Sequence, residues 1–143
     1  MAEPLYCFLP IVFMDISGLN NICIIGWGKS GIGLCKLLAK LKKKVRVSES
    51  AERKRFGTKL IDYFAGKGVK FEFGGHSRKY IKDSDLVVLS PGVDIRNSSA
   101  VKTATECGVP FTGEIEFSSR FTRARIIGIT GTNGKTTTAY LTH

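Results

Sequence analysis

Acidic residues are in short supply: 12 Asp and Glu stand against 22 Lys and Arg in 143 residues, a formal charge of +10. The four cysteines (Cys7, Cys23, Cys35, Cys107) form no C-x-x-C pair, and the two histidines do not cluster. Neither a zinc site nor a disulfide framework is written in such a chain. Cys23 and Cys35 fall in apolar patterns and read as buried thiols of a reducing compartment, which points to the cytoplasm. Long apolar runs are missing too. Residues 4–14 are apolar but fall short of the roughly 20 residues a membrane helix needs, so no membrane partner is expected. They also lack the positive segment and small-residue cleavage site of a secretory signal. Residues 1–14 read as an upstream apolar extension, poorly packed or disordered, with Met14 offering an alternative start.

What is present is a globular composition, 43% apolar and 24% charged with 16 glycines. The length suits one core, or one domain and part of another. Fifteen of the 22 basic residues lie between Lys36 and Lys82. Such a face attracts anions. It carries no nucleic-acid signature and no aromatic–basic interleaving, so it reads as a solvated face with no nucleic-acid partner.

Two glycine loops organise the chain. The later one is the stronger signal. Ile126, Ile127 and Ile129 read as a buried parallel strand, which breaks at Gly131-Thr132-Asn133-Gly134 and resumes as a helix at Lys135-Thr136. Strand, glycine turn, Lys-Thr and helix is the order a triphosphate site needs. Glycines let backbone N–H groups converge on phosphate oxygens, and a helix N-terminus adds partial positive charge. Lys135 reaches the outer phosphates, and the Thr136 hydroxyl can sit on Mg2+. The general pattern G-x-x-x-x-G-K-[ST] is matched only in its second half, because position 129 is Ile. An ordinary turn with a solvated lysine is the weaker alternative.

The earlier loop follows the apolar run Ile22–Ile25. Gly26, Gly28 and Gly31 make G-x-G-x-x-G, ahead of a helix with Ile32, Cys35, Leu38 and Leu41 on its apolar face. Such a turn brings backbone close to a diphosphate. Lys44–Ser48 alternates as a second strand and ends at Glu49, 21 residues after Gly28, where a dinucleotide fold places an acid for a ribose or base. A surface carboxylate is the even-odds alternative. Residues 52–65 read as one basic amphipathic helix buried through Phe56, Leu60, Ile61 and Phe64. Residues 69–73 and 85–89 read as strands three and four. His76 stands alone, and a surface or capping role is expected for it. Ser90-Pro91-Gly92 is a turn at a strand's carboxyl end, the edge where parallel sheets bind ligands; Pro and Gly alone also explain it. A helix over 97–107, capped by Asn97 or Ser98, and a short strand at 109–111 complete the series. The fold class is therefore α/β. A small Rossmann-like open parallel sheet of about five strands is followed by the first strand, phosphate loop and helix start of a second, truncated domain. The boundaries are 1–14 extension, 15–112 nucleotide-binding domain, 113–124 linker and 125–143 the opening of an ATP-binding domain. With eight residues after Lys135, the sequence reads as a piece cut early in that second domain.

The loop Thr130-Gly131-Thr132-Asn133-Gly134-Lys135-Thr136-Thr137 resembles that of the Mur ligase family, the amide-forming ligases of peptidoglycan synthesis and their folylpolyglutamate synthetase relatives. Four motifs in series support it: the first glycine loop, Leu89–Val93, Gly113–Phe117 and this loop. They are similar to the branch that adds D-glutamate to UDP-N-acetylmuramoyl-L-alanine. The resemblance implies ATP and Mg2+ as cofactors, with Gly131, Thr132, Asn133, Gly134, Lys135, Thr136, Thr137 and Thr138 around ATP. Lys135 is then catalytic and Thr136 a Mg2+ ligand. It places Gly28, Lys29, Ser30, Glu49, Ser50, Ser90 and Pro91 around the UDP-sugar. It implies carboxylate activation as an acyl phosphate, attack by the D-glutamate amine, a monomer, and small-molecule partners only. The fragment alone is expected to be inactive. The family's Arg after the strand-two acid is replaced by Ala51, with Arg53 near enough to compensate. An alanine-adding relative and a nicotinamide-dependent oxidoreductase are the alternatives.

Overall fold

The computed structural model describes residues 18–142; the extension expected over residues 1–14 lies outside them. Five parallel strands form one sheet: β1 Asn21–Ile25, β2 Lys44–Glu49, β3 Lys70–Phe73, β4 Leu86–Leu89 and β5 Phe111–Gly113. Their order is β3-β2-β1-β4-β5. The chain builds outward from β1 to β3, then crosses back to the other side of β1. That reversal opens a crevice at the carboxyl ends of β1 and β4, where doubly wound sheets hold their ligands.

Both sheet faces are covered, which is why β1 and β4 are continuous apolar runs rather than alternating ones. On one face Ile22, Ile24, Val45, Val47, Leu86 and Val88 pack against α1 (Lys29–Lys40), α2 (Thr58–Ala65) and Phe117 of α5 (Glu114–Ser118). On the other, Cys23, Ile25, Val87 and Leu89 meet Ile81 of α3 (Arg78–Lys82) and Ala100, Val101 and Ala104 of α4 (Ser99–Glu106). A final helix, α6, spans Lys135–Leu141.

Several expectations need correction. Gly31, Leu34, Cys35 and Leu38 are the buried residues of α1 and Ile32 packs half-buried against the same core, while Leu41 lies past the end of the helix and is exposed. The single helix expected over 52–65 is two pieces, a 3-10 turn at Arg53–Arg55 and then α2, because Gly57 takes an extended conformation between them. Leu60 is exposed, Ile61 and Phe64 are buried, and Phe56 packs half-buried against the same core. The last strand falls at Phe111–Gly113, two residues later than the sequence pattern places it. Directly after it α5 forms and buries Phe117. Residues 125–130 form no strand, and Ile126 and Ile127 are 61% and 80% exposed. A strand needs a paired neighbour to satisfy its backbone, and none of the described strands lies beside this run.

Candidate functional site

The first glycine loop is fixed by close packing. A Cβ on Gly31 would fall on the Gly26 carbonyl oxygen, so only glycine lets α1 start this close to β1. Gly28 caps α1 with its carbonyl, accepting from the Ile32 N–H at 3.0 Å, and has open space where a side chain would be. Lys29 and Ser30 occupy the first turn, exposed and half-buried. Trp27, between the glycines, is buried edge-on against Phe64 and Phe71, with ring centroids 5.8 and 4.9 Å away. The loop is thus anchored to the core by one aromatic side chain, leaving its glycine backbone outward.

Glu49 ends β2 and ties two loops together. Its Oε2 accepts from the Trp27 N–H at 2.7 Å, and its Oε1 from the Ala51 N–H at 2.8 Å and the Ser50 hydroxyl at 3.2 Å. Partial burial pushes its pKa up, but the N–H groups of Ala51 and Trp27 outweigh that and hold it below the ordinary carboxylate value. Three of about four lone-pair positions are taken by the protein itself. Its main observable role is therefore to hold the loops. Arg53, exposed, pairs with Asp62 at 3.2 Å.

Ser90 starts the turn after β4. Its N–H donates to Ile25 O at 3.1 Å, and its carbonyl accepts from the Val93 N–H at 3.0 Å. Its hydroxyl oxygen is buried with no partner among the described residues, set against Gly26, where an added Cβ would lie 2.9 Å from it. Pro91 beside it is exposed. Beside this turn lies a cleft of about 300 Å³ lined by Ile25, Ser50, His76, Gly92, Asp94 and Asn97, among others. It gathers the carboxyl ends of β1, β2 and β4, and its volume is at the lower end for a small-molecule site. Ser50 is the expected site residue that lines it; Glu49 precedes Ser50 and Ser90 and Pro91 precede Gly92 along the chain, while Gly28, Lys29 and Ser30 are not among its lining residues.

His76 is the residue the sequence misjudged. It is half-buried, with Nδ1 2.8 Å from the Ser48 hydroxyl, and Ser48 also lies 2.8 Å from Glu72 Oε2. Burial lowers its pKa, partly opposed by the charges of Glu49 and Glu72. A separate groove of about 670 Å³ lies at the opposite, amino end of the sheet, rimmed by Lys36, Lys40, Lys42 and Lys67 over Val45 and Phe64. None of the expected site residues lines it.

The second glycine loop is exposed throughout. Gly131 and Gly134 take positive φ of 147° and 80°, so the chain bends at Thr132-Asn133 and enters α6 at Lys135. Lys135 Nζ folds back to donate to the carbonyls of Gly131 and Thr132, the latter at 3.4 Å. A cation over a glycine-bent loop at a helix start fits a polyphosphate. Thr136, Thr137 and Thr138 are exposed in the first turn. Among the described residues no group of three or more His, Cys, Asp or Glu could hold a metal. Thr136 therefore fits Mg2+ only as one ligand of a phosphate-bound ion.

Against this geometry the comparisons are decisive. Residues 20–113 match the family model described as "Mur ligase MurD-like, N-terminal domain". The chain belongs to the Mur ligase family. This Mur ligase chain is 42% identical over 128 residues to the UDP-N-acetylmuramoylalanine–D-glutamate ligase of Thermoanaerobacter sp. (strain X514), covering 90% of the chain and 28% of that protein. It is 41% identical over 133 residues to the ligase of the same name from Bdellovibrio bacteriovorus, covering 92% of the chain and 28% of the relative. Among solved structures, a pseudomurein peptide ligase type C from Methanothermus fervidus matches at a TM-score of 0.60 and 28% identity, over 83% of this chain and 24% of that one. A short-chain dehydrogenase/reductase from Veillonella parvula, at a TM-score of 0.52 and 13% identity over 66% of this chain and 46% of that one, shares the fold alone. The Mur ligase chain thus spans a little over a quarter of the length of these curated relatives.

Proposed function

We propose that this chain supplies the UDP-holding part, and the start of the ATP site, of a ligase that joins D-glutamate to UDP-N-acetylmuramoyl-L-alanine. In this reading residues 15–112 hold the UDP group, 113–124 link, and 125–143 open the ATP-binding domain. The observation that carries it is the strand-end cleft. The glycine loop after β1, the acid-tied end of β2 and the Ser-Pro-Gly turn after β4 converge at the reversal of strand order. The names of the 42% and 41% identical relatives support this choice of substrate.

Gly28 leaves the start of α1 open to a diphosphate, and Lys29 and Ser30 add a cation and a hydroxyl there. Ser50, His76 and the 90–94 turn enclose the nucleoside side. Bound ATP with Mg2+ supplies the phosphoryl group that activates the substrate carboxylate. Toward it, Lys135 and the N–H groups of 131–136 stabilise phosphate charge, and Thr136 offers one metal ligand. The protein works as a cytoplasmic monomer on small molecules; no described helix is long and apolar enough to cross a membrane.

Calorimetry tests the binding half. The chain should bind UDP weakly, and Gly28→Asp should abolish binding by placing a carboxylate against the diphosphate. Because nothing lies within 4 Å of a Cβ at Gly28, the fold should survive that change. Equal UDP binding by both would overturn the site. In a full-length ligase carrying this chain, Lys135→Ala should lower turnover at least 100-fold, the scale on which one preorganised transition-state donor acts. Undiminished turnover would remove Lys135 from the chemistry.

A further inference from the structure

His76 reaches the cleft from the loop after β3, yet its orientation is set by residues of two strands. Ser48 is fully buried at the end of β2. Its oxygen lies 2.8 Å from Glu72 Oε2, 3.0 Å from Gly75 O and 2.8 Å from His76 Nδ1. The first two partners can only accept, and one hydroxyl hydrogen serves one acceptor, so a bare Nδ1 would leave two of the three contacts without a hydrogen, whereas an Nδ1–H leaves one. The arrangement that satisfies the most contacts is Nδ1–H donating to the Ser48 oxygen. Glu72 is fixed in turn by the Ser77 N–H at 2.9 Å. Burial lowers the pKa of the ring, against the charges of Glu49 and Glu72. With Nδ1–H committed to Ser48, the other nitrogen, Nε2, is a bare acceptor. It has no partner among the described residues, and the ring lines the cleft beside Ser50 and Gly92.

A diphosphate offers only acceptors, so a bare imidazole nitrogen is no partner for it. A nucleoside offers donors: the imide N–H of a uracil-type base and the ribose hydroxyls. We propose that His76 is a specificity-determining residue that reads the nucleoside half of a nucleoside diphosphate, its Nε2 accepting one N–H or O–H. The inference rests on the nucleotide-site reading above and adds a discriminating contact to it. Ser48 and Glu72 are positioning residues that fix the tautomer.

The test is a calorimetric matrix on the 143-residue chain: wild type, His76→Phe, His76→Gln and Gly28→Asp against UDP, N3-methyl-UDP, 2′-deoxy-UDP, 3′-deoxy-UDP and pyrophosphate. His76→Phe should weaken UDP about tenfold, the value of one hydrogen bond, and leave pyrophosphate unchanged. One analogue lacking a donor should bind wild type about tenfold more weakly than UDP does, and His76→Phe should not tell that analogue from UDP. The analogue that does so separates base from sugar. Gln, which keeps an acceptor, should recover part of the loss. If His76→Phe does not fold, the wild-type analogue series and the 15N shift of His76 Nε2 on UDP addition carry the test.

UDP affinity lost in Gly28→Asp but untouched in His76→Phe would remove His76 while leaving the nucleotide site standing. An equal loss for every ligand, pyrophosphate included, would make its role structural and overturn the proposal. A wild type that binds no UDP would sink both readings together.

Discussion

Alanine at position 31 places a Cβ against the Gly26 carbonyl oxygen, well inside 3.0 Å, with Ile24 Cγ2 3.7 Å away on the other side. A carbon–oxygen contact of this kind starts at about 3.3 Å, so the start of α1 must lift away from β1. Overpacking of this sort costs about 1–3 kcal/mol, while replacing a helical glycine by alanine returns up to about 1 kcal/mol. Gly33, two residues on in the same helix, is exposed with nothing within 4 Å of an added Cβ. Gly33→Ala should therefore keep the propensity gain without the clash. Because the propensity gain is common to both, the two variants should lie about 1–3 kcal/mol apart, a melting-temperature gap of at least about 4 °C for a domain of this size. Circular dichroism melts in matched buffer read this directly. A Gly31→Ala protein as stable as Gly33→Ala would refute the claim that close packing of loop and helix fixes the cleft.

Asp85 accepts the Asn21 and Asn20 N–H groups, each at 2.8 Å, where β1 begins. Those bonds, Asn21's first, hold its pKa below the ordinary value near 3.8. Asp85→Ala should cost about 1 kcal/mol by urea titration. A depressed carboxylate stabilises above its unfolded pKa, so the wild-type advantage should persist at neutral pH and fade as pH falls below about 4. Burial pushes the Cys23 and Cys35 thiols up to about 12. Mapped alkylation at pH 8 should therefore spare both until the chain is denatured, and modify the partly exposed Cys107 first.

The strands of the sheet were legible wherever burial is two-sided. Ile22–Ile25 and Leu86–Leu89 are apolar at every position because helices cover both faces. The G-x-G-x-x-G turn was legible because its glycines answer to local sterics at Gly26 and Gly31. The break at Gly57 was not, since the apolar spacing of Phe56, Leu60, Ile61 and Phe64 fits one continuous helix as well as two pieces. His76 was missed for a different reason. Its partners Ser48 and Glu72 are 28 and 4 residues away, and only the parallel pairing of β2 with β3 brings them together. Sequence offers an isolated histidine; a Gly-Gly-His turn directly after a strand was the one available hint. The expected strand at 125–130 shows the converse. Apolar residues license a strand, but a neighbour must be present to pair with it.

Backbone amide shifts of the 15N-labelled chain during UDP titration test the central claim most directly. Saturable changes should cluster at 26–31, 49–51, 75–77 and 90–94, the rim of the cleft between the ends of β1, β2 and β4. Changes confined to the lysine-rimmed groove at the amino end of the sheet, or none at all, would contradict it.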